Sequence, residues 1–269
     1  MPTNSEKPMK IALIGAGNLA TNIGKAFVAA GHNVLQVFSR TEANAAVLAQ
    51  TLGASYTTKI DDLTDEADVY VISVKDSAMA DIIGQIDKKL QTKVFLHTAG
   101  SVGIDIFSNI VQHFGVLYPM QTFSKNREVD FSTIPVFIEW NDPVSELAIK
   151  DLAGSISKKI TVLSSSDRRY LHLAAVFGCN FVNHCYELAA SIMESHGMTF
   201  NMLLPLLDET LAKVHTMHPR ESQTGPAVRF DRNVIDRHLS VLESSPMMKD
   251  IYELMSKSIY QTATQQNKI

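Results

Sequence analysis

The stretch from Lys10 to Ala20, KIALIGAGNLA, limits what this chain can fold into more than any other. A short apolar run, Ile11 to Ile14, leads directly into Gly15-x-Gly17-x-x-Ala20, and a helical pattern follows. The order predicts a strand, a tight turn and a helix N-terminus. Gly15 permits the turn, Gly17 leaves room for a pyrophosphate against the backbone, and Ala20 lets the helix pack closely on the strand. The free N–H groups at the start of that helix, from Asn18, Leu19 and Ala20, and its positive dipole end then hold phosphates. The reading is dinucleotide binding; the bland alternative is an ordinary glycine turn.

The rest of the N-terminal half alternates strand and helix signals. Strand-like runs fall at 10–15, 33–39, 68–74, 93–98, 116–118, 135–140 and 159–163, with helical patterns at 19–30, 42–52, 78–90 and 144–157. Thr41 and Ser77 stand where N-caps are expected. After about Ser164 the strand signals stop, and 167–196, 199–218, 231–243 and 246–265 all read as helices. The expected architecture is therefore α/β: a doubly wound, mostly parallel Rossmann sheet over 1–164, then an all-α domain over 165–269. A polar tail from about Thr262 is expected to fray.

The second strand bears on which dinucleotide is bound. Folds selective for NAD usually end this strand in Asp or Glu, which bonds the ribose 2′-hydroxyl. Here it ends Val37-Phe38-Ser39-Arg40-Thr41, and Glu42 already lies in the next helix. Arg40 can pair with a 2′-phosphate through its planar fork, and the Ser39 and Thr41 hydroxyls add donors. This argues for NADP; the alternative is a surface Arg40 paired with a helix carboxylate. Further along, the strand ending Ser73-Val74-Lys75-Asp76 should bring Val74 and Lys75 under the cofactor. The turn His97-Thr98-Ala99-Gly100-Ser101 should bring Gly100 and Ser101 to the nicotinamide. Lys75 reads as catalytic or, beside Asp76, as a solvated lysine.

In the helical half, His172, Asn180, Asn183 and Glu187 fall within an arc of roughly 80° on an ideal helix. This polar stripe either faces a cofactor cleft or forms a network at a helix or subunit contact. The surrounding stretch, 171–186, has no acidic residue, lysine or arginine. It is too short and too rich in His and Asn for a membrane span, and is read as a buried helix. Cys179 and Cys185 are six apart in one predicted helix, so they point to different faces and suit a reducing cytoplasm. The first nine residues are polar with two prolines and do not resemble a signal peptide. A net charge of −4 gives no general attraction to nucleic acid or anionic membrane.

Several motifs together resemble a known family. Gly15-Ala-Gly17-Asn18-Leu19-Ala20 with Ser39-Arg40 is similar to the NADP domain of pyrroline-5-carboxylate reductases and deazaflavin-dependent NADP oxidoreductases. Leu117-Tyr118-Pro119-Met120-Gln121-Thr122-Phe123, the helix Tyr170-Leu-His172 to Asn180, and Thr224-Gly225-Pro226-Ala-Val-Arg229-Phe230-Asp231 resemble motifs of Rossmann-like proteins carrying the DUF2520 domain. Tyr118 stands where that family usually has His, so no proton-transfer role is carried over to that position. Phe230 stands where it has Gly.

The resemblance implies the fold, NADP as cofactor, and pairing of two copies through the helical domain. On this reading the chain is an NADP(H)-dependent oxidoreductase moving a hydride to or from a small molecule at an interdomain cleft. His172 is the candidate acid, since an ordinary imidazole titrates near neutrality. Asn180 and Thr224 would orient the substrate. The rival is a non-catalytic NADP-binding regulator or sensor, because a Rossmann fold does not guarantee turnover.

Overall fold

The computed structural model describes residues 8–265, so most of the opening segment read as unlike a signal peptide lies outside the described residues. The strands are β1 (Lys10–Ile14), β2 (Asn33–Phe38), β3 (Ser55–Thr57), β4 (Val69–Ile72), β5 (Val94–His97), β6 (His113–Pro119), β7 (Pro135–Trp140) and β8 (Lys159–Val162). They form one sheet in the order β3-β2-β1-β4-β5-β6-β7-β8. Pairing is parallel from β3 through β6; β7 runs antiparallel to β6, and β8 parallel to β7.

Helices α1 (Asn18–Ala29), α2 (Glu42–Leu52), α3 (Asp76–Ile83) and α4 (Pro143–Ile156) connect the strands. The period of two along each strand divides the core into two layers. Ile11, Leu13, Val69, Val71 and Leu96 pack with Phe27 of α1, Leu48 of α2 and Leu152 of α4. Ala12, Ile14, Ile72, Tyr70 and Phe95 pack with Met79 and Ile83 of α3 and with Phe107. Tyr70 and Phe95 stack at 4.6 Å. Both faces are covered, so these strands read as near-continuous apolar runs.

The sequence reading needs correction in several places. Ser77 is not an N-cap: Lys75 takes that position and Asp76 already begins α3. The pattern at 78–90 is not one helix, because α3 ends at Ile83 and a separate 3₁₀ turn, Lys88–Leu90, is capped by Asp87. The three-residue strand β3 is too short to show a period. The expected helix 167–196 is α5 (Ser165–Ala175), a π-helical segment (Val176–Phe181) and α6 (Val182–Ser195). The wider π turn breaks the ideal phase used to align His172 with the later polar residues.

The chain continues as α7 (Leu204–Thr216), α8 (Pro219–Ser222), α9 (Pro226–Arg229), α10 (Arg232–Val241) and α11 (Pro246–Gln265). Proline opens both four-residue helices, α8 and α9, which the sequence reading missed. Phe230 closes α9 with φ 51°, the left-handed conformation a glycine adopts freely. Its ring packs 4.8 Å from that of Tyr260. Helix α11 runs past Thr262, where fraying is expected, and residues 266–269 lie outside the described range.

By contacts the chain divides into two compact units, Met1–Cys179 and Asn180–Ile269. The change from strands to helices falls near Ser164, but α5 belongs with the sheet. Its Arg168 is 1% exposed and pairs with Glu139 of β7 at 2.6 Å. The second unit has little core of its own. Among its described residues only Ala227, Ile235 and Ser256 are buried, whereas Leu206, Met202, Leu254 and Met247 are 63–73% exposed. The expectation of a buried helix over 171–186 also fails: none of these residues is buried, because the single chain does not cover them.

Candidate functional site

A cavity of about 580 Å³ lies beyond the carboxyl ends of the parallel strands, the edge where open α/β sheets bind ligands. Its floor is the turn after β1. Gly15 has φ +124°, and its N–H donates to the Phe38 carbonyl at 2.8 Å. A Cβ there would stand 2.1 Å from the Ser73 carbonyl oxygen, so a side chain is excluded by conformation and by space. A Cβ on Gly17 would meet nothing within 4 Å. Gly17 caps α1 without any side-chain bond, and the first turn holds no acidic residue. The opening N–H groups and the dipole of a twelve-residue helix therefore face open space, an arrangement that fits a phosphate group. Asn18 and Leu19 line the cavity; Ala20 is fully buried behind it against the sheet.

At the tip of β2, Ser39, Arg40 and Thr41 line the same cavity. The Thr41 N–H donates to Ser39 Oγ at 3.3 Å, which shapes the entry to α2. Arg40 is exposed, and among the described residues it has no carboxylate partner; Glu42 instead accepts from the Tyr56 hydroxyl. The alternative of an Arg40 paired with a helix carboxylate therefore has no counterpart here.

Val74 and Lys75 line the cavity from the end of β4, and Gly100 from the end of β5. Ser101 is not a lining residue, but its hydroxyl donates to the Asp76 carboxylate and closes this turn onto α3. His172 of α5 and Tyr118 of β6 meet over Gly100. His172 Nδ1 lies 3.1 Å from the Tyr118 hydroxyl, and the rings meet edge-on at 6.1 Å. A Cβ on Gly100 would fall 2.5 Å from His172 Nδ1 and 2.9 Å from Tyr118 Cζ, so only glycine admits this pair. Burial raises the Tyr118 hydroxyl above its ordinary pKa near 10, and it stays protonated at neutral pH.

Of the three candidate catalytic residues, only His172 lines this cavity. Asn180 and Thr224 belong to the second unit, and both are exposed. Among the lining residues that the sequence does not single out as site residues are three with charged or amide side chains: Asn44 on α2, Asp76 on α3 and Lys125. Lys125 lies in the loop after β6, which buried Asn22 of α1 holds by donating to the Ser124 carbonyl at 3.1 Å. A tie of 102 positions leaves no local signal. Behind the cavity, His97 is fully buried; burial, then the nearby Arg168 cation, depress its pKa to about 3.

Comparison with known proteins agrees with this geometry. The family described as NADP oxidoreductase, coenzyme F420-dependent, matches residues 10–100, and a domain of unknown function, DUF2520, matches residues 134–259. No curated protein matches the sequence. A "putative NADP oxidoreductase" from Bacteroides fragilis is 44% identical, with a TM-score of 0.88 over 94% of this chain and 98% of that one. A 1-pyrroline-5-carboxylate reductase from Streptococcus pyogenes shares the fold at 15% identity, with a TM-score of 0.61 over 94% and 99% of the two chains. So does an imine reductase from Myxococcus stipitatus in complex with NADP+, at 16% identity and TM-score 0.62 over 96% and 94%. With the glycine turn, the Leu117–Phe123 segment and the DUF2520 region in one order, this chain belongs to the Rossmann-like NADP oxidoreductase family whose members carry a DUF2520 domain.

Proposed function

We propose that this protein binds NADPH in the strand-end cavity and reduces a C=N or C=O bond of a small molecule. The observation that carries this reading is one edge with two ends. A phosphate-shaped glycine turn and an Arg40 with no carboxylate partner among the described residues lie at one end, and a Tyr118–His172 pair seated on Gly100 at the other. Gly15, Gly17, Asn18 and Leu19 would hold the pyrophosphate, and Ser39, Arg40 and Thr41 the 2′-phosphate. Val74, Lys75, Gly100 and the Ser101-braced turn would hold the nicotinamide half. When bound, the cofactor supplies a hydride to the acceptor carbon. His172 and Tyr118 supply the proton the heteroatom then needs. Asn180 and Thr224 remain candidates for orienting the substrate.

Cofactor preference tests the reading. NADPH should bind more tightly than NADH. Arg40→Ala should weaken NADPH binding by roughly tenfold to a hundredfold, the effect of about 1.5–3 kcal/mol for a charge-assisted bond, and leave NADH nearly unchanged. Titration calorimetry measures both. Equal affinities of the parent protein for the two nucleotides would overturn the assignment.

The same proposal includes a homodimer. A second unit with three buried described residues and many exposed apolar side chains needs a cover, and a second copy offers a matching apolar surface. The expected result is a sedimentation mass of twice the 29.7 kDa chain at micromolar concentration. A monomer there would refute it. Among the described residues no helix is long and apolar enough to cross a membrane.

A further inference from the structure

The resemblance gives Tyr118 no role, because a tyrosine there departs from the usual histidine. We infer that Tyr118 is the residue that hands the proton to substrate, and that His172 reloads it. The inference rests on the reductase reading above and assigns its proton path.

Geometry separates the two residues. Tyr118 is 9% exposed, at the end of β6 beside Gly100, and its hydroxyl is 3.1 Å from His172 Nδ1. His172 is only half-buried, so solvent can protonate it. When His172 is neutral with Nδ1 unprotonated, the Tyr118 O–H donates to Nδ1 and is turned away from substrate. When His172 is protonated, its Nδ1–H donates to Tyr118 Oη, and the Tyr118 proton is free to point into the cavity. The acceptor that has gained a hydride at carbon takes that proton on nitrogen or oxygen. An O–H bond breaks at Tyr118 and a new N–H or O–H bond forms. Oη recovers a proton from His172 Nδ1, and His172 takes one from water. The sum is one hydride and one proton added to the double bond.

The charges facing this pair fit the role. Arg168, one turn before His172 on α5, draws the Tyr118 hydroxyl down; Asp76 on α3 and Cys179 push it up. Burial outweighs these and keeps the phenol neutral, with a proton to give. Lys75 and Lys125 line the same cavity.

The test compares the parent with Tyr118→Phe, which removes one oxygen and keeps the ring, and with His172→Asn. NADPH affinity is measured by fluorescence titration, and turnover with 2-methyl-1-pyrroline and with ethyl pyruvate. In nucleotide-free protein, the His172 ring is titrated by NMR, its signal assigned by its loss in His172→Asn. The expected result is NADPH binding within threefold of the parent, with kcat lowered 10²- to 10⁴-fold in Tyr118→Phe, the usual range for general acid catalysis. His172→Asn should lower kcat less and flatten its fall at rising pH. The His172 titration should shift between the parent and Tyr118→Phe. Tyr118→Phe turnover within threefold of the parent, or an unchanged His172 titration, would overturn the proton path alone. A parent that binds no NADPH, or that binds NADPH and reduces neither probe, would overturn the reductase reading and the path with it.

Discussion

Replacing Arg168 with alanine is expected to lower folding stability by about 3–5 kcal/mol, the usual result of removing one partner from a buried ion pair. Arg168 is 1% exposed, and its Nη1 donates to Glu139 Oε2 at 2.6 Å. Nη2 donates to the Val102 carbonyl at 2.6 Å and to Ser165 Oγ at 3.1 Å. Ser165 in turn donates from Oγ and N–H to the same carboxylate, and its Oγ accepts from Ile104 N–H. Truncation leaves the Glu139 carboxylate, 18% exposed, without its cation, and leaves the Val102 carbonyl without a donor. Urea denaturation measures the loss. A cost under about 1 kcal/mol would equate this pair with an exposed one. The double variant Arg168→Met with Glu139→Gln should recover part of the loss, because no unpaired charge remains buried.

The second large effect is a contrast between two glycines. Gly15→Ala must place a side chain at φ +124°, and its Cβ would sit 2.1 Å from a backbone oxygen. Strain in that region alone costs up to about 3 kcal/mol, and the collision adds to it, so Gly15→Ala should fold poorly or not at all. Gly17→Val adds a branched side chain where nothing lies within 4 Å and where φ is −81°. It should melt near the parent's temperature and lose NADPH and NADH together, because its methyl groups occupy the pyrophosphate position. Thermal denaturation and nucleotide titration of both variants check the pair. A folded Gly17→Val that binds either nucleotide normally would place the phosphates elsewhere.

These residues also show what the sequence makes legible. The glycine turn, the strands around it and the helices from 42 to 52 and 246 to 265 are written in local patterns, so periodicity and turn chemistry are enough to find them. Arg40 is legible because its position follows from the strand before it. Arg168 is not: one arginine near a helix start looks like solvated charge, and its burial comes from Glu139 and Val102, 29 and 66 positions away. The Tyr118–His172 contact spans 54 positions, and Lys125 reaches the cavity on a loop tied to Asn22. The π-helical segment carries no compositional mark and shifts the phase on which the polar stripe depends. Four-residue helices and a three-residue strand are shorter than any period they might display.

The buried Arg168 also bears on how such a protein can be rearranged in evolution. A reader of the sequence would cut this chain near Ser164, where strands give way to helices, and treat the first part as an exchangeable nucleotide-binding cassette. That cut would discard the cation while keeping the carboxylate and the carbonyl it satisfies, both partly buried in the intact chain. Recombination at that junction would then transfer a cassette whose Glu139 carboxylate has lost its cation and must be covered again without one, unless the new neighbour supplied a cation at the same place. The viable crossover point lies later, beyond the first turns of α5. The histidine that meets Tyr118 would therefore be inherited with the nucleotide fold, and would not arrive with whatever helical domain is attached to it.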